Sequence, residues 1–129
     1  MEVLEILNML NRIQIEDYGN LGKALCRYNS STNGNELPSM FMELYSSLES
    51  AVHVNETEEV KGERLDNMVK MLTGQDLKEI RHLNNRLKHP DLNKDDTESY
   101  QEKHNNIQRH IVTLRHATQE IIKQKLNSI

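Results

Sequence analysis

From Tyr100 onward the chain places Tyr100, His104, Ile107, Ile111, Leu114, Thr118 and Ile121 at alternating steps of four and three. That spacing holds one line of side chains on one face of an α-helix, whereas a strand returns to the same face every second residue. The segment therefore reads as one long helix, capped at Asp96 or Thr97 and ending near Leu126. It spans about 30 residues, roughly 45 Å at 1.5 Å per residue. Such a helix exceeds what a small bundle needs, so its tail is expected to pack on a partner or on a second copy of the chain.

The rest of the chain points the same way. Aromatics make up 4% of the residues, with no Trp and a single Phe, Phe41. A core of Leu, Ile, Met and Val suits helix packing better than a sandwich. Five Gly and two Pro are too few turn residues for many short strands.

Residues 2–28 carry Val3, Leu7, Leu10, Leu21 and Leu25 near helical spacing, with Ile6 and Ile13 filling in. Gly19 and Gly22 predict a bend near Asp17–Gly22. Residues 29–37 read as a loop. Pro38 opens a second helix through His53, with Phe41, Leu44, Tyr45, Leu48 and Val52 on one face. A third helix, Val60 to Leu72, turns Leu65, Met68, Val69 and Leu72 inward and stops at Thr73 and Gly74. A fourth, Gln75 to Lys88, turns Leu77, Ile80, Leu83 and Leu87 inward and ends before Pro90. The expected fold is an all-α bundle of four or five helices with a long C-terminal helix, one domain over residues 1–129.

Charge is unevenly distributed. Residues 1–77 hold 6 Lys/Arg against 13 Asp/Glu, a balance of −7, while residues 78–129 hold 10 against 7, a balance of +3. Five of the six His also lie in the second part. An anionic partner is expected to meet the basic half, unless the two halves simply attract one another.

The lone Cys26 excludes an internal disulfide and suits a reducing compartment; near the apolar face of the first helix, it is expected to be buried and inert. The opening carries Glu2 and Glu5 where a signal peptide needs base, and no stretch approaches ~18 continuous apolar residues. A cytoplasmic protein without membrane contact is expected.

Metal and cofactor chemistry find little support. His104, His110 and His116 step by six, which spreads them around a helix, so no zinc site is expected. His104, on the apolar line, reads as a packed core residue. Glu56, Glu59, Glu63 and Asp66 share one side of the third helix, a solvated acidic face with no second acidic pair to complete a magnesium site. The chain has no glycine-rich phosphate loop, dinucleotide fingerprint or nucleophile elbow, and no cofactor is expected.

The densest chemistry runs from Lys78 to Asp91. On a helix Arg81, Asn85 and Lys88 fall in one stripe, opposite Ile80, Leu83 and Leu87. His82, Arg86 and His89, at steps of four and three, share another. The product is a cationic surface ending in an imidazole, able to hold phosphate, shuttle a proton or dock on an acidic protein. The plain alternative is a solvated helix face whose terminal His is favoured by the helix dipole.

The run from Leu77 to Pro90 resembles the signature helix of the HEPN superfamily, small helical bundles of toxin–antitoxin and phage-defence systems. Active members cut RNA without metal, the His and Arg of two subunits meeting at a dimer interface. On that resemblance His89 takes the position of the family His, Asn85 that of the polar residue after the Arg, and Asn84 the position of the Arg itself. The resemblance implies an RNA-binding homodimer, with His89, Arg86 and Asn84 as the catalytic set and Arg81, His82, Asn85 and Lys88 as RNA contacts. Attack of a ribose 2′-hydroxyl on the adjacent phosphate would use His89 to move the proton and Arg86 or Arg81 to hold the phosphate.

His89, Pro90 and Asp91 are also similar to the tripeptide of J-domain co-chaperones, which stimulates the ATPase of heat-shock-seventy-type chaperones. Residues Lys103 to Leu114 align with the helix that follows that tripeptide. This second resemblance implies a partner protein in place of RNA. A third class needs no chemistry at all: a non-catalytic interaction or inhibitor module, for which the long last helix and the charge asymmetry suffice.

Overall fold

The computed structural model describes residues 19–32, 36–89 and 100–128. Among them are five helices and no strand: α1 (Asn20–Thr32), α2 (Leu37–Val52), α3 (Gly62–Thr73), α4 (Lys78–Lys88) and α5 (Tyr100–Asn127). The all-α bundle with a long last helix is thus observed. The apolar positions at Val3 to Ile13 and the caps at Asp96 or Thr97 lie outside the described residues.

Local chemistry sets the helix ends. Pro38 sits in the first turn of α2, where its missing N–H is not needed. Gly74 closes α3 in the left-handed conformation, φ 75°, and its N–H donates to the Lys70 carbonyl at 2.8 Å. The Asp76 carboxylate accepts from the Lys78 N–H at 3.0 Å, and α4 begins at Lys78, three residues after the expected Gln75. Helix α1 runs on to Thr32, past its expected end at Tyr28, with Ser31 buried and its hydroxyl donating to the Tyr28 carbonyl at 2.6 Å.

One core joins all five helices. Leu21, Ala24, Leu25 and Tyr28 of α1 lie against Phe41, Leu44, Leu48 and Ala51 of α2, close enough for the Ser47 hydroxyl to donate to the Ala24 carbonyl at 2.6 Å. Leu65 and Val69 come from α3 and Ile80 and Leu83 from α4. From α5, Ile107, Ile111, Leu114, Thr118 and Ile121 are all buried, the inward line that the spacing predicts. His104 is only half-buried.

The length of α5 has an internal use. Gln119 donates to the Tyr28 hydroxyl, Gln124 to the Leu72 carbonyl at 2.7 Å and Lys125 to the Val54 carbonyl at 2.8 Å. Ile121 and Ile122 are fully buried. The tail therefore packs on its own chain, across α1, α3 and the end of α2. Cys26, expected to be buried, is exposed. No described helix is long and apolar enough to cross a membrane.

The turn after α2 is fastened by His53. Its Nδ1 lies 2.6 Å from the Glu49 carbonyl, and its Nε2 accepts the Val60 N–H at 3.0 Å. Accepting at Nε2 places the ring proton on Nδ1, where it donates to the carbonyl. The ring thus ties the end of α2 to the buried Val60 just before α3.

Candidate functional site

Helix α4 buries Ile80, Leu83 and Asn84 and turns its charged residues to either side of that stripe. Because α4 packs on α2 and α3 along one edge and on α5 along the other, the two flanks open into separate clefts.

The first cleft, about 220 Å³, lies between α4 and α5. His82 and Arg86 line it from α4, and Asn106, Arg109 and His110 from α5. Glu79 stands beside His110, with Oε2 3.7 Å from Nε2. Two guanidiniums and two imidazoles gathered in one groove form a surface suited to phosphate, since the planar fork of Arg matches its oxygens.

The second cleft, about 230 Å³, lies between α2, α3 and α4. Tyr45 and Glu49 come from α2, Lys61, Gly62 and Leu65 from the start of α3, and Arg81, Asn84, Asn85 and Lys88 from α4. Arg81 is held in place: its Nε lies 3.0 and 2.9 Å from the two carboxylate oxygens of Asp66, with the side chains 16% and 11% exposed. Asn84 is only 3% exposed, and its buried Oδ1 has no hydrogen-bond partner among the described residues. Burial pushes the Glu49 carboxyl above the usual carboxylate range, opposed by Lys88, His53, Arg27 and Lys61. Burial likewise raises the Tyr45 phenol, with Glu49 and Asp66 adding to the effect and Arg81 opposing it.

The residues singled out in the sequence are therefore divided. Arg81, Asn84, Asn85 and Lys88 share the second cleft, whereas His82 and Arg86 face the first. His89 is exposed at the C-terminal end of α4, its backbone N–H donating to the Asn85 carbonyl at 3.0 Å. Of the catalytic set, Asn84 and Arg86 point into different clefts. Pro90 and Asp91 lie outside the described residues.

Arg109 and His110 were not legible as site residues, because their meeting with His82 and Arg86 depends on which helix α5 faces. The available signal was their position beside Ile107 and Ile111, since residues flanking a buried line border the seam between two helices. Glu49 and Lys61 gave no signal at all. Among the described residues no three His, Cys, Asp or Glu come together as a metal site, and Asp66 is engaged by Arg81. Compared with family models, curated proteins and solved structures, the chain matches none.

Proposed function

We propose that this chain binds RNA, holding the phosphate backbone in the α4–α5 cleft through Arg86 and Arg109. The observation that carries the reading is the gathering of those two guanidiniums with His82 and His110 in one groove. It is supported by the resemblance of α4 to the HEPN signature helix and by the positive balance of residues 78–129. Phosphate contacts of this kind supply affinity without sequence choice and weaken with salt, because binding releases counterions.

The test is a fluorescence-anisotropy titration with a labelled single-stranded RNA at several salt concentrations. Arg86→Ala combined with Arg109→Ala is expected to weaken binding at least tenfold. It should also flatten the log–log salt slope by about 1.4, at ~0.7 for each lost phosphate contact. Wild-type protein that binds no RNA at low salt would overturn the reading and leave a partner protein as the occupant of this surface.

The finer reading is metal-free cleavage by a homodimer, in the toxin or phage-defence setting that the resemblance offers. Asn84 and Arg86 line different clefts of one chain, and the resemblance implies that His89 and Arg86 meet from two copies. Incubating wild type and His89→Ala with structured RNA in EDTA decides the matter. Cleavage by wild type alone is the expected result for a nuclease; intact RNA in both reactions would restrict the protein to binding.

A further inference from the structure

We propose that His53 is a pH-operated clasp: neutral, it ties the end of α2 to the start of α3, and protonation releases the connection between them. The inference stands apart from RNA binding and survives or fails without it.

The two ring nitrogens fix the protonation state of the closed turn. The Val60 backbone nitrogen has a hydrogen to donate and no means of accepting one, so Nε2, 3.0 Å away, offers its lone pair. The Glu49 carbonyl only accepts, so Nδ1, 2.6 Å away, carries the proton. One species alone meets both contacts, the neutral imidazole protonated at Nδ1. Imidazolium carries a hydrogen on each nitrogen. It keeps the bond to the Glu49 carbonyl but turns a second N–H against that of Val60, so an attraction becomes a clash of donors. Val60 is fully buried, and its amide gains no water in exchange while the turn stays closed. Movement of residues 54–60 away from the ring hydrates both groups.

Charged groups from every neighbouring element stand around this turn. Glu49 of α2 attracts a charged ring, and Glu56 lies in the turn itself, its backbone N–H donating to the His53 carbonyl at 3.1 Å. Opposed to them are Arg27 of α1, Lys61 before α3, Lys88 of α4 and Lys125 of α5, the last donating to the Val54 carbonyl at 2.8 Å. Attraction and repulsion thus both act on the ring. The hydrogen-bond pattern decides which form the closed turn holds.

The direction follows from counting protons. The closed turn excludes the second ring proton and the open turn accepts it, so release is linked to proton uptake and is favoured as pH falls. Imidazole is the side chain that changes charge between about pH 5 and 8, which sets the window. Lys61 and Gly62 follow Val60 directly and line the cleft between α2, α3 and α4, so release loosens one wall of that cleft.

The test is amide hydrogen exchange of the intact chain, read as protection relative to the unstructured rate at each pH. Protection of Val60 is expected to fall about tenfold from about pH 7.5 to about pH 5.5. That of Leu114, fully buried on α5, should stay constant. In His53→Gln the side-chain oxygen takes the place of Nε2 and does not titrate, so Val60 protection should be flat across the same range. Ring-nitrogen chemical shifts of the wild type need no variant: Nε2 should gain its proton over the range in which Val60 loses protection.

Constant Val60 protection in the wild type, or an equal fall in His53→Gln, would overturn the clasp. So would an Nε2 that gains its proton while Val60 stays protected. A fall shared by Leu114 would mark unfolding of the whole chain and overturn it as well.

Discussion

Replacing Asn84 by Leu tests whether the buried amide is unsatisfied in the native state. The amide is buried and its Oδ1 has no partner among the described residues. Leu branches at the same carbon and adds apolar surface to a position beside Ile80 on the buried face of α4. Removing an unsatisfied buried acceptor recovers about 1–3 kcal/mol, and the better helix propensity of Leu adds a few tenths. For a chain of 129 residues that gain raises the midpoint of thermal unfolding by about 4–10 °C. Urea unfolding with an unchanged slope would attribute the gain to stability alone. The exposed neighbour Asn85 is the control, and Asn85→Leu should move stability by less than about 0.5 kcal/mol. A loss of about 1 kcal/mol or more for Asn84→Leu would refute the reasoning, because it would mean the amide is satisfied in the native state and holds the fold.

Other perturbations read other parts of the structure. The Glu49 carboxyl titrates higher in the folded chain than its ordinary value of 4.5, so the native state holds that proton more tightly and stability falls as pH rises above that value. Thermal melts across pH should therefore show Glu49→Gln more stable than wild type at neutral pH, with the difference vanishing in acid below pH 4.5. His53→Ala strands the buried Val60 N–H and is expected to lower stability by about 1–3 kcal/mol in urea unfolding, with faster amide exchange at Val60. Asp66→Ala leaves the Arg81 guanidinium unpaired at low exposure and should destabilise by about 3 kcal/mol. Breaking the exposed Arg64–Glu58 pair should change stability by less than about 1 kcal/mol.

The faces of individual helices were legible because helical periodicity is a local property. Phe41, Leu44, Tyr45, Leu48 and Val52 are all buried on α2, and the line from Ile107 to Ile121 on α5 is buried as its spacing requires. Relations between helices were not legible. Nothing in the sequence of α5 says that Gln124 will reach the Leu72 carbonyl or Lys125 the Val54 carbonyl, so its length looked excessive. Cys26 sits one residue from the buried Leu25, and that single step around the helix carries it to the surface.

The same limit applied to the site. Spacing put Arg81, Asn85 and Lys88 in one stripe and His82, Arg86 and His89 in another; the first lines one cleft, His82 and Arg86 line the other, and His89 lies at the helix end. Arg81 looked like a phosphate ligand until Asp66, fifteen residues earlier on α3, was found against it. The acids that read as a solvated face thus include Asp66, which fixes Arg81, an expected RNA contact, in the fold.

The most direct test of the account is to map where RNA touches the protein. Amide chemical-shift mapping of isotope-labelled protein titrated with a single-stranded RNA does this residue by residue. Perturbations are expected to concentrate at His82, Arg86, Arg109 and His110, the residues of the α4–α5 cleft. Perturbations centred on α1 or the acidic start of α3, or none at all, would contradict it.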